Sequence, residues 1–141
     1  MQKTFNNNRE QIIALLEKAE NKVQIAVSWL TDEVLIGKLA ETAKRKKVEL
    51  LLSCDALNVW RYSAIRELQS KGAVVLKTGT NMPGVRGFMH AKFIIVDDKL
   101  AYGGSFNFTD GANYNYENFK EYATKEVQAL IQDYQNWWTT A

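Results

Sequence analysis

At 141 residues, 46% of them apolar, the chain has enough material for one compact core and too little for two, and no stretch approaches the ~20 consecutive apolar residues of a membrane-spanning helix. Its 18 basic and 16 acidic side chains leave a net charge of +2, a lean towards anionic partners too slight to announce one. A single cysteine, Cys54, excludes an internal disulfide, no Cys/His spacing suggests a zinc site, and the polar opening MQKTFNNNREQ carries no export signal; a cytoplasmic single domain over residues 1–141 is therefore expected.

Ile12, Leu15, Leu16 and Ala19 recur at helical spacing and predict an amphipathic helix over residues 8–20. KVQIAVSWL (22–30) reads as a buried strand. Thr31 is placed to cap a second helix, with Asp32 and Glu33 in its first turn and Leu35, Ile36, Leu39, Ala40 and Ala43 on its inner face. The basic run Lys44-Arg45-Lys46-Lys47 falls at the end of that helix, where cations complement the dipole. VELLLSCD (48–55) is a second apolar strand with Cys54 as a small apolar residue at its end, residues 58–71 fit a third helix closed by Gly72, and AVVLK (73–77) gives a third strand. Strands alternating with helices imply parallel pairing.

TGTNMPGVRG (78–87) holds the only proline and is a loop. Strands are expected over 88–96 and 100–107, joined by a turn at Asp97-Asp98-Lys99, and a further strand over 117–122. Val127, Leu130, Ile131, Tyr134 and Trp138 mark the inner face of a C-terminal helix. The expected fold class is α/β, a mixed, largely parallel sheet with helices on both faces.

Chemistry concentrates in HAKFIIVDDKLAYGGSFN (90–107), which holds the only histidine. Side chains two apart on a strand share a face, so His90 and Lys92 are expected side by side. On the returning segment Ser105 and Asn107 share a face, and Gly103 and Gly104 permit close backbone approach. An imidazole, an ammonium, a hydroxyl and a carboxamide in one small volume suit a tetrahedral anion: Lys92 and Asn107 donate to non-bridging oxygens, and His90 supplies a nucleophile or an acid.

His90-x-Lys92-x4-Asp97-x6-Gly104-Ser105-x-Asn107 reproduces the HxKx4Dx6GSxN signature, and the chain resembles the phospholipase D superfamily. Chance agreement at these positions is about one in 10^7 to 10^8 on average residue usage, so accident is a poor explanation. Asn115-Tyr116-Glu117-Asn118 resembles the family's N-x-E-N element, Asp55 stands where such domains often have an aspartate, and the aromatic C-terminal helix resembles the family's closing one. The similarity is to short members carrying one motif, including small bacterial endonucleases.

The resemblance implies a phospholipase D-like domain in which His90 forms a phosphohistidine intermediate. Lys92 and Asn107 would hold phosphoryl oxygens, Ser105 would donate a further hydrogen bond, and Glu117 would orient the His90 ring by accepting from one nitrogen. Asp97, counted with this set, lies on the opposite face from Lys92 by alternation and is assigned to support of the site or turn.

One imidazole cannot attack phosphorus and protonate the leaving oxygen in the same step, and there is no second histidine. The simplest acid is His90 of another copy, so a homodimer with a composite site is expected, as the resemblance also implies. No metal and no cofactor is called for, because cationic side chains and amides can stabilise the developing charge. Nucleic acid, DNA before RNA, is the expected substrate, with Lys77, Arg86, Trp60, Arg61 and Arg66 as candidate contacts to phosphates or bases; no stable membrane association is expected. The alternatives are a phospholipase D-type lipid phosphodiesterase and a non-catalytic dimeric phosphate-binding module.

Overall fold

The computed structural model describes residues 7–53, 62–78 and 89–140, the side chains at 62, 63, 77 and 78 excepted. Helix α1 (Asn8–Lys18) leads into β1 (Lys22–Val27), followed by α2 (Glu33–Ala43), β2 (Lys47–Ser53), α3 (Tyr62–Ser70) and β3 (Val74–Thr78). The hairpin β4 (Lys92–Val96) and β5 (Leu100–Gly104) comes next, then a 3-10 turn (Gly111–Tyr114), β6 (Phe119–Glu121) and the long helix α4 (Thr124–Thr140). Among the described residues no helix is long and apolar enough to cross a membrane.

All strands join one six-stranded mixed sheet in the order β3-β2-β1-β4-β5-β6. The parallel pairing expected from the strand-helix alternation runs through β3, β2 and β1. The hairpin adds itself antiparallel to β1, and β6 closes the other edge antiparallel to β5. Because side chains alternate along each strand, the sheet feeds two cores. Ile94 and Val96 point with Val23, Ile25 and Val27 towards α1, α2 and α3; Phe93 and Ile95 point with Ala26 and Leu51 towards α4. Helices therefore cover both faces.

The C-terminal helix docks through Val127, Ile131 and Tyr134, all buried, each contributing about 1.5–3 kcal/mol of apolar burial. Tyr134 stacks on Trp138 at 5.7 Å, and Trp137 lies 5.9 Å from Phe93. Under this helix the buried Glu49 carboxylate accepts from the Gln24 amide at 3.0 Å and the Tyr134 hydroxyl at 3.5 Å, and pairs with Lys47 at 3.3 Å. Burial first, and the Glu49 charge second, push the Tyr134 phenol far above its ordinary range.

Of three local expectations, two are refined and one holds. Asp32, not Thr31, caps α2: its Oδ1 accepts from Val34 N at 2.9 Å and Leu35 N at 3.4 Å, and its Oδ2 accepts from Arg9 at 2.9 Å and Asn113 at 3.1 Å. Gly72 does close α3, with φ +110° and the paired bonds Ala73 N to Leu68 O (3.0 Å) and Gly72 N to Gln69 O (3.1 Å) of a Schellman ending. The basic run lies just past α2 and is used locally: Lys46 donates to the Ala19 carbonyl and Lys47 pairs with Glu49. Cys54 and Asp55 lie outside the described residues.

Candidate active site

The carboxyl end of β1, the start of β4, the end of β5 and the start of β6 meet at one edge of the sheet, since Val27 aligns with Lys92, Phe93 with Gly103, and Gly104 with Phe119. Such an edge, beyond the carboxyl ends of parallel strands, is a recurrent place for ligands. Lys92 begins β4 with its side chain on the α1–α3 face and is only 8% exposed. Its Nζ donates to the His90 carbonyl at 2.5 Å and to Ser28 Oγ at 3.4 Å. Burial lowers the Lys92 pKa, and the negative charge of Glu117 partly restores it.

His90 precedes β4 and is exposed. The expected strand from 88 begins only at Lys92, so the shared-face reading of the two residues gives way to a direct one: the ammonium sits beneath the backbone that carries the imidazole.

The return arm is held by aromatics. Phe106 and Phe108 are fully buried and pack edge-on against Phe119 at 6.0 and 6.3 Å, so alternation turns Ser105 and Asn107 away from that core. This segment leaves the ladder after Gly104 instead of continuing as strand to 107: Phe108 bridges to Leu30, and its carbonyl accepts from Thr31 N and Asp32 N. The glycines are dictated by crowding. A Cβ on Gly103 would sit 2.8 Å from the Lys92 carbonyl oxygen and 2.8 Å from Phe93 Cβ, and one on Gly104 would run into the Asn118 carbonyl.

Ser105 Oγ donates to Glu117 Oε1 at 2.6 Å while accepting from Asn118 N at 2.9 Å. Asn115 Nδ2 donates to Glu117 Oε2 at 3.0 Å, so both oxygens of that carboxylate are engaged. Ser105, expected to donate a hydrogen bond at the site, donates it here to Glu117. Asn107 Oδ1 accepts from Trp29 N at 3.4 Å, so the oxygen of the amide is engaged and Nδ2 is its donor end.

Asp97 stands apart. It lies five residues along β4 from Lys92, roughly 16 Å at ~3.3 Å per residue, and its carboxylate accepts from the backbone N–H groups of Glu20, Asn21 and Lys22 at 2.8–2.9 Å. It pins the β1 entry to the hairpin turn and is no part of the His90 cluster. Of the expected nucleic-acid contacts, Lys77 has its backbone in the same row as Lys92, through Val27 and Leu52. Arg66 is exposed on α3, away from the β4–β6 half of the sheet. Trp60, Arg61 and Arg86 lie outside the described residues.

Sequence reasoning missed Ser28 and Trp29. Their signal was a small polar residue breaking the apolar run of β1 at the carboxyl end of a parallel strand.

Residues 12–138 match the family described as cardiolipin synthase, PLD-like domain. A protein of Rickettsia typhi named phospholipase D is 32% identical over 130 residues, 91% of this chain and 60% of the relative; the chain thus spans about 60% of the length of such curated relatives. Among solved structures, NucT from Helicobacter pylori superposes with a TM-score of 0.79 at 22% identity, covering 96% of this chain and 89% of the other. Nuc from Salmonella typhimurium, a phospholipase D family member, superposes with 0.72 at 20% identity, covering 93% and 86%.

Proposed function

From the premise that this chain belongs to the PLD-like domain family, we propose that it is a nuclease that cleaves DNA or RNA without a metal, through a phosphohistidine at a site shared by two copies. The observation that carries the reading is a buried ammonium, Lys92, bonded to the backbone carbonyl of the exposed His90, at the edge where Asn107 and the Ser105–Glu117 pair also stand. A positive charge held out of water acts strongly on phosphoryl oxygens, because neighbouring solvent does not screen it.

In the proposed cycle a ring nitrogen of His90 attacks phosphorus, and a P–N bond forms as the P–O bond to the leaving oxygen breaks. The protonated His90 of the partner copy gives that oxygen its proton. The partner ring, now neutral, then takes a proton from water, whose oxygen attacks phosphorus and breaks the P–N bond. Lys92 and the Asn107 amide neutralise charge on the non-bridging oxygens in both steps. Glu117 favours the charged form of Lys92 and, in the expected role, steers the imidazole.

Nucleic acid is preferred over lipid: the large hydrophobic side chains exposed among the described residues are Val34 on α2, Val74 on β3, and Tyr114 and Tyr116 in and after the 3-10 turn, on separate elements instead of one amphipathic helix of the kind that enters a bilayer. A lipid phosphodiesterase is the second reading, favoured by the name of the Rickettsia relatives. The test is incubation with plasmid, single-stranded oligonucleotide and phospholipid vesicles in EDTA, beside His90→Ala. Cleavage of nucleic acid that vanishes in the variant is the expected result. Vesicle hydrolysis alone favours the lipid reading, and a strict need for a divalent ion contradicts the metal-free scheme.

A further inference from the structure

We propose that Ser28 is a positioning residue: its buried hydroxyl, together with the His90 carbonyl, sets where the Lys92 ammonium stands and which way its N–H groups point. The inference rests on the phosphodiesterase reading and deepens it, for nucleic acid and lipid alike. Ser28 follows directly on the buried run of β1 and is itself only 1% exposed. A hydroxyl taken out of water is costly unless it is bonded, and here it is bonded to a charge: Lys92 Nζ donates to Ser28 Oγ at 3.4 Å.

An ammonium carries three N–H donors. Held by the His90 carbonyl alone, at 2.5 Å, it could swing about that one bond. A second acceptor removes the swing, and with two directions fixed the third is fixed as well. Both acceptors are neutral, so they orient the charge without cancelling it as a carboxylate would. The hydroxyl that accepts from the ammonium turns its own proton elsewhere.

A side chain that aims another must itself be held. The Ser28 carbonyl accepts from Ser53 N at 3.3 Å, and next along the chain the Trp29 carbonyl accepts from Phe108 N at 3.1 Å, while Trp29 N donates to Asn107 Oδ1 at 3.4 Å. The end of β1 is thus tied to β2 on one side and to the return arm on the other. One dipeptide meets both donors assigned to the phosphoryl oxygens, Lys92 through the Ser28 side chain and Asn107 through the Trp29 main chain.

The bond also bears on the lysine's proton. Burial lowers the Lys92 pKa and the Glu117 charge raises it; an oxygen that accepts from the ammonium favours the charged form as well. Among the described residues the ionisable side chains at this edge are Glu117, engaged by Ser105 and Asn115, and His90; Asp32, farther on from β1, is tied to Arg9 and to the cap of α2. Removing the Ser28 oxygen leaves Glu117 in place and takes away one support of the charge, so Lys92 then loses its proton at lower pH.

The experiment measures pH–rate profiles in EDTA on bis(p-nitrophenyl) phosphate, a diester that is neither nucleic acid nor lipid, for wild type, Ser28→Ala, Ser28→Cys, Ser28→Thr, Lys92→Met and Ser28→Ala/Lys92→Met, with thermal melts of each. Alanine, and cysteine, which is near serine in shape but a weak acceptor, are expected to lower kcat about three- to tenfold, the scale of one hydrogen bond, and to move the alkaline limb to lower pH. Threonine, which keeps the hydroxyl, restores both, and alanine costs nothing further once Lys92 is methionine. An equal loss in the Lys92→Met background, an alkaline limb that stays in place, threonine no better than alanine, or a loss that only follows the folded fraction seen in the melts each overturns the inference. An inert wild type defeats the phosphodiesterase reading and the inference with it, whereas an active wild type with indifferent variants defeats the positioning role alone.

Discussion

At its turn end the β4–β5 hairpin carries a carboxylate that serves the backbone; at its open end it carries a buried ammonium. Asp97 accepts three main-chain N–H bonds and ties the entry of β1 to the turn. Lys92, only 8% exposed, has the His90 carbonyl and the Ser28 hydroxyl as neutral partners, with Glu117 near enough to act on its charge. Both residues belong to one sequence signature, yet one end of the hairpin is tied to the backbone and the other holds the group to which the proposed function assigns chemistry. The cost of a buried charge is of the kind that gathers at functional sites.

The comparison breaks most visibly at His90. His90→Ala is expected to lower phosphodiester turnover by at least about 10^3-fold with little change in melting temperature, because the residue is exposed; steady-state kinetics beside thermal melts check both halves. Lys92→Met comes next, with a loss of about 10^2- to 10^3-fold in kcat and a stability equal to or above that of the wild type, since a buried charge gives way to a side chain of similar length. The wild-type rate should also fall on the alkaline side at a pH below the ordinary lysine value of 10.5, as the lowered Lys92 loses its proton.

Asp97→Ala should do the reverse. Losing the acceptor for three backbone donors is expected to cost about 2 kcal/mol in denaturant unfolding, while kcat stays at the wild-type value. The smallest effect is a pH dependence. Burial pushes the Asp97 pKa up, but the N–H groups of Glu20, Lys22 and Asn21, with Lys99 nearby, outweigh it and leave it below the ordinary 3.8. The folded state therefore binds this proton less readily than the unfolded state. The contribution is fully present above 3.8 and is lost as pH falls through the lowered folded value. Acid titration of stability should show that limb in the wild type and a flatter one in Asp97→Asn.

Much of this was legible in the residues. The apolar runs of β1, β2 and β4 announced buried strands, and Gly72 announced the end of α3. The candidate cluster was legible to the extent that His90, Lys92, Ser105 and Asn107 crowd into two short segments around one hairpin. What escaped was whatever depends on partners distant in sequence. Ser-Phe-Asn-Phe alternates like a strand, yet Phe108 pairs with Leu30 and bends the chain off the ladder. Thr31 and Asp32 are both able to cap a helix, and the pull of Arg9 and Asn113 on the Asp32 carboxylate decides between them. The acceptor of the Ser105 proton was not legible, because nothing in its neighbourhood along the chain reveals that Glu117 folds back beside it.

The central claim, a covalent link between His90 and phosphorus, is tested most directly by acid-free quenching of a single turnover on end-labelled oligonucleotide in EDTA, followed by peptide mass spectrometry. The account predicts a transient protein–nucleic acid adduct, stable in alkali and labile in acid, mapped to His90 and missing in His90→Ala. Efficient cleavage with no adduct at any time point, or an adduct mapped to another residue, contradicts it.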